Sequence, residues 1–166
     1  MDVNTIDLIP TDKNSNTHKE ILKMVNNIAT KVSEAVYRIH FNPNQQEYEA
    51  LTREYFVVLD EFENLLSKQS YIMGQHITLA DIIMYASIIR LPLIYSTMFR
   101  VNLKPMDSNT YPKLWGLICN IHHIGNISQC IDPHAIKVNY YSAKTLNEKS
   151  GRTIPIGPMC DLFDEC

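Results

Sequence analysis

At 166 residues, 45% of them hydrophobic, the chain is the size of one domain and can bury a substantial core. A net charge of −3 and a pI near 6.0 provide no positive field, which argues against nucleic acid as a partner. Five glycines are too few for a loop-rich β protein, and the longest apolar run, Ile82 to Ile89, is too short to span a bilayer, so no membrane partner is expected.

Residues 1–16 are polar and rich in Asn and read as an arm or interdomain linker remnant. Thr17-His18-Lys19-Glu20 has the spacing of a capping box. Ile21, Val25, Ile28, Val32, Val36 and Ile39 then recur at helical spacing and predict a long helix over 17–40. Asn42-Pro43 reads as an N-cap followed by a first-turn proline. Tyr48, Leu51, Tyr55, Val58, Phe62 and Leu65 form the stripe of a second helix over 43–67. Two long helices with a short connection read as an antiparallel hairpin.

Thr78 and Asp81 form the next capping box, flanked by Ile77 and Ile82 as a hydrophobic staple. The following helix is apolar on nearly every face, which places it inside a bundle. Its first turn must therefore be satisfied by protein rather than water. Pro92 predicts a kink or stop. Thr110-Tyr111-Pro112 opens a short helix carrying Leu114, Trp115, Ile118 and Ile121, and Asp132-Pro133 opens another through Ile136. Periodicity fades after Ser142. The expectation is an all-α bundle over 17–142 with an extended tail over 143–166.

Four segments carry a resemblance to one branch of the glutathione transferases, the glutathionyl-hydroquinone reductases or xi class, with omega-like relatives. Asp7-Leu8-Ile9-Pro10 is similar to the opening of that family's C-terminal helical domain. Val36-Tyr37-Arg38 with Phe41 resembles its Val-Tyr-Lys/Arg-Ala-Gly-Phe. Ile88-Ile89-Arg90, Tyr95, Phe99, Arg100 and Asn102 follow a third motif, and Tyr111 to Gly116, Tyr140-Tyr141 and Ile154 to Pro158 its closing segments. The Thr-x-x-Asp cap of the core helix is also a transferase feature.

The resemblance implies a hydrophobic substrate pocket, with Tyr37, Tyr95, Tyr140 and Tyr141 as substrate-binding residues and glutathione as cosubstrate. Read from the residues alone, the same tyrosines are half-buried or core aromatics. Which of Tyr140 and Tyr141 faces inward stays open. Thr78 and Asp81 are assigned a structural capping role. Arg90 is read as capping carbonyls or pairing with a carboxylate near the helix end.

The family's reaction cysteine lies in a thioredoxin-like domain, and no cysteine here precedes a proline. No catalytic residue is therefore assigned. The chain reads as the helical substrate-pocket and dimerisation half of a glutathione-dependent transferase or reductase, inactive without a thioredoxin-like domain. Its implied partners are a second copy in a homodimer, or such a domain or chain. The alternative is a non-catalytic transferase-like interaction or assembly module. It is favoured by polar departures: Pro92 stands for the family's carboxylate, Met98 for its histidine, and Ser33-Glu34-Ala35 for Asn-Asn-Gly.

Cys119, His122, His123, Cys130 and His134 share a short span and raise the question of zinc. Adjacent residues 122 and 123 diverge by about 100° on a helix, so buried thiols and solvated histidines are the preferred reading, with no metal. Met1-Asp2-Val3-Asn4 does not resemble a secretory leader, so a cytoplasmic location and reduced cysteines are expected.

Overall fold

Five of the six α-helices in the described residues start where a side chain accepts their first orphan N–H groups. The computed structural model describes residues 7–143 together with 145, 154 and 155. Helix α1 spans Asn16–Ile28 and is capped by Ser15, whose hydroxyl accepts from the His18 N–H at 3.2 Å. The cap is therefore Ser15 rather than Thr17. The His18 ring reaches back to the Pro10 carbonyl at 2.7 Å, so the preceding arm lies against the helix start.

The predicted long first helix is not continuous. A π segment, Ala29–Ser33, separates α1 from α2, Ala35–Phe41, and the Glu34 N–H donates to the Ala29 carbonyl five residues back. The π segment carries small residues where it meets the core helix, and Ser33 Oγ lies 2.6 Å from Ser87 Oγ. Helix α3 spans Gln45–Leu66 and is capped by Asn44, which accepts from the Glu47 N–H. The cap thus lies two residues beyond Asn42, whose amide donates instead to the Glu47 carboxylate.

The core helix α4, Leu79–Ile88, begins at the Thr78–Asp81 capping box. Asp81 is fully buried. One carboxylate oxygen accepts from the Thr78 N–H at 2.8 Å and its hydroxyl at 2.9 Å, and the other accepts from the Ile72 N–H at 2.7 Å. Burial pushes the Asp81 carboxyl above its ordinary value, and these donors work in the opposite direction. One carboxylate therefore starts α4 and fastens the preceding connection to it. That connection turns at Gly74, where φ is 124°.

Pro92 supplies no N–H, and α4 ends at Ile88. A π turn comes next over Leu91–Tyr95, in which the Ser96 N–H donates to the Leu91 carbonyl. Helix α5, Pro112–His122, has no cap of its own. Its first N–H groups, from Lys113 and Leu114, donate to the Glu63 carboxylate of α3 at 2.8 Å each. A 3-10 turn, Ile127–Cys130, precedes α6, Pro133–Ser142, which Asp132 caps. Helix α6 runs six residues past Ile136 because Tyr140 and Tyr141 are buried and extend its packing face. The extended tail expected over 143–166 falls almost wholly outside the described residues.

Helix α4 packs against α1 and α5, α3 against α2 and α5, and α6 against the π turn. The described residues contain no β-strand, so the architecture is an all-α bundle. No helix among them is long and apolar enough to cross a membrane. The core is continuous: Ile28, Val36, Ile39, Leu59, Ala80, Met84, Ile88, Ile94, Leu114 and Ile121 are all fully buried.

Removing the Asp81 carboxylate leaves the buried Ile72 and Thr78 N–H groups without acceptors. Asp81→Ala is expected to lower stability by about 3 kcal/mol, and Thr78→Ala by about 1 kcal/mol. Denaturant melts would measure both. An Asp81→Ala loss no larger than that of Thr78→Ala would contradict the dual role of the carboxylate.

Candidate functional site

Three elements distant in sequence bring three phenols together. Helix α2 carries Tyr37, the π turn ends on Tyr95, and α6 carries Tyr140. Tyr140 Oη lies 3.0 Å from Tyr37 Oη and 3.0 Å from Tyr95 Oη, so it bridges the other two. Tyr95 and Tyr140 are buried, whereas Tyr37 is half-buried and forms the accessible end. Tyr141 points elsewhere: its hydroxyl lies 2.9 Å from Thr97 Oγ1. Of the adjacent pair, Tyr140 is the one whose phenol joins the cluster.

Phe99 is fully buried at the centre of this cluster. Its ring lies 5.1 Å from Tyr37, 5.2 Å from Tyr95 and 5.9 Å from Tyr140, centroid to centroid. The His40 ring stacks on it at 4.2 Å with an interplanar angle of 18°. Edge-to-face contacts link Tyr37 to Tyr95 and Tyr95 to Tyr140. Phe99 and His40 are not among the residues that the sequence assigns to the site. A phenylalanine has no polar signature, and its place inside the motif from Ile88 to Asn102 is its only sign.

Burial, followed by the Tyr140 hydrogen bond, pushes the Tyr37 phenol up to about 12. The same two causes push Tyr95 higher still. The Arg90 charge works against both shifts, while its guanidinium donates to the Ala86 carbonyl one turn back. At neutral pH Tyr37 and Tyr95 are therefore protonated donors. Three hydroxyl protons serve two O···O contacts, which leaves one proton to offer a ligand oxygen. Such an arrangement can bind an aromatic ring edge-on and donate to an oxygen it carries.

The two adjacent histidines are engaged by other groups. Tyr85 Oη lies 2.9 Å from His122 Nδ1, and the His123 ring reaches the Cys119 carbonyl at 2.8 Å. Burial pushes the Tyr85 phenol up to about 12, and lowers the His122 pKa. Among the described residues no group of three or more His, Cys, Asp or Glu comes together to hold a metal. Cys130 is an exposed free thiol.

The sequence matches the family defined by the glutathione S-transferase C-terminal domain over residues 17–123. It is 28% identical over 132 residues to glutathionyl-hydroquinone reductase YqjG of Escherichia coli (strain K12), covering 79% of this chain and 39% of that protein. It is likewise 28% identical over 131 residues to glutathionyl-hydroquinone reductase PcpF of Sphingobium chlorophenolicum, covering 79% and 41%. The glutathione-bound structure of YqjG superposes with a TM-score of 0.79 at 26% identity, over 95% of this chain and 49% of that one. The chain thus spans about two fifths of the length of these curated relatives.

The raised phenols give a pH signature. Because the folded value of Tyr37 lies above the ordinary 10.0, the stability it contributes is complete below pH 10.0 and is lost as pH rises towards about 12. Phenolate absorbance should show a late-titrating class of tyrosines, and Tyr37→Phe should remove one member. A single transition at the ordinary value would contradict the buried cluster.

Proposed function

The chain belongs to the glutathione S-transferase C-terminal domain family, and on that premise we propose that its phenol cluster receives the ring of a hydroquinone in glutathione-dependent chemistry. The observation that carries the reading is the bridged arrangement of Tyr37, Tyr140 and Tyr95, with one proton left over. A quinol oxygen at the Tyr37 end would accept that proton, and the ring would lie against the edges of Tyr37 and Phe99. Relatives named glutathionyl-hydroquinone reductases support this substrate class.

In a glutathionyl-hydroquinone the sulfur is bonded to a ring carbon. A thiolate attacking that sulfur forms a disulfide and breaks the sulfur–carbon bond, and the ring carbon takes a proton. Charge that develops on the ring is shared with its oxygens, where a fixed phenol donor stabilises it. The tyrosines position and donate, and glutathione supplies the reducing thiol. Among the described residues, the free thiol of Cys130 is exposed with its sulfur against the Asn126 carbonyl, a setting that does not activate it for the attack. Glutathione would be held by a thioredoxin-like domain, in the same polypeptide or in a partner, and a second copy of the chain is a further partner consistent with this family. A cytoplasmic, reducing setting suits that chemistry.

The 166-residue chain is expected to bind a simple hydroquinone with a change in tyrosine fluorescence. Tyr37→Phe should weaken binding about tenfold, the loss of one hydrogen bond of about 1.4 kcal/mol. The chain by itself should turn over no glutathionyl-hydroquinone. Adding a thioredoxin-like domain from a relative should produce turnover that Tyr37→Phe reduces. Absence of quinol binding by the parent would overturn the reading in favour of a non-catalytic assembly module, and turnover by the chain alone, abolished by Cys130→Ser, would overturn the division of labour.

A further inference from the structure

Arg100 has a backbone that its own exposure does not explain. Among the described residues it is the non-glycine residue with positive φ, at 62°. For an L-residue with a Cβ this is a strained conformation, and such conformations persist where the surroundings over-determine them. Arg100 is exposed, so burial of its side chain does not hold it there.

Four contacts do. The Tyr48 hydroxyl donates to the Arg100 carbonyl at 2.7 Å, and Arg100 Nη2 donates to the His40 carbonyl at 3.1 Å. The guanidinium stands 5.2 Å from the centroid of the Tyr48 ring. The next residue, Val101, donates its N–H to the Tyr95 carbonyl at 2.8 Å. Arg100 is thereby tied to the end of α2, to the first turn of α3 and to the π turn. The left-handed residue lets both neighbours enter the core: Phe99 and Val101 are each fully buried while Arg100 stays outside. Phe99 is the ring on which all three phenol-bearing rings and His40 pack.

We propose that Arg100 is a positioning residue for the phenol cluster: its left-handed backbone, clamped to Tyr48 and His40, holds Phe99 between Tyr37, Tyr95 and Tyr140. The significance of that role for a substrate rests on the hydroquinone reading above. Phe99 packs against a ring from each of α2, the π turn and α6, so its position bears on the oxygen positions that the Tyr140 bridge requires. Loosening the clamp would let Phe99 shift and water reach the hydroxyls. The cluster would then lose its desolvation without losing any of its tyrosines.

The test is a pH titration of the full chain carrying ring-labelled tyrosine, followed by NMR, with resonances assigned by single Tyr→Phe variants. Arg100→Gly tolerates the positive φ but removes the two guanidinium contacts of the clamp, and Tyr48→Phe removes the hydroxyl that holds the residue-100 carbonyl. In both, Tyr37 should titrate below its parent value of about 12 and closer to the ordinary 10.0. Tyr85, bonded to His122 outside the cluster, should stay at about 12. Arg100→Lys, which keeps a cation over the Tyr48 ring, should recover part of the shift. A lower melting temperature with Tyr37 titrating as in the parent would make the clamp merely structural and overturn the proposal. If Arg100→Gly does not fold, Tyr48→Phe decides by the same comparison. Hydroquinone affinity measured on the same variants should fall as the Tyr37 titration shifts. A parent that binds no hydroquinone overturns the substrate reading, and the titration still decides the positioning role.

Discussion

The buried carboxylate of Asp81 is the constraint on which the bundle depends. A helix apolar on every face has no solvated side from which water could satisfy its first turn. Asp81 takes that place and accepts three hydrogen bonds while fully buried, one of them from Ile72 in the preceding connection. Burial of the carboxyl is opposed by those donors and by the Asp81 N–H itself. The start of α4 is thus fixed to within one residue, and so is the register of the helix and of the turn beyond it. Met84, Ile88 and Leu91 enter the core in sequence, and the π turn delivers Tyr95 to the site.

The cluster built at the far end of that register differs from an ordinary aromatic core in one respect. Its hydroxyls are satisfied by one another and not by backbone carbonyls. A carbonyl acceptor would tie up a phenol proton permanently. Mutual pairing keeps the protons exchangeable, because a ligand oxygen can replace one phenol as acceptor without leaving a buried group unpaired.

The local features were legible in the sequence. The Thr78–Asp81 box, the proline starts at Pro112 and Pro133, and the stripes of α1 to α3 all act within a few residues. Shifts of two residues in the caps arose where neighbours compete. Ser15 and Thr17 can both cap α1, and Asn42 and Asn44 both flank Pro43, with Asn42 engaged by the Glu47 side chain. The π segments were not legible, because a widening by one residue leaves apolar spacing nearly unchanged, and the Ser33–Ser87 contact found at the first of them joins residues 54 apart. The phenol site was reached through resemblance alone: Tyr37 and Tyr140 are 103 residues apart, and no periodicity joins them. Arg100 and Phe99 stand within a family motif, yet one is charged and exposed and the other is plain core, so neither type announces a role.

The cap that Glu63 provides to α5 has a consequence for how the chain acquires its structure. The acceptor for the first turn of α5 comes from α3, 50 residues earlier. An isolated stretch of α5 carries no side chain of its own to initiate it, and short helices are costly to nucleate in water. Its formation is therefore conditional on α3 having already docked, which makes the two helices a single cooperative unit rather than two independently stable ones. Protection against amide hydrogen exchange would then appear in α5 only together with α3, and the second half of the bundle would be assembled on a template that the first half has completed.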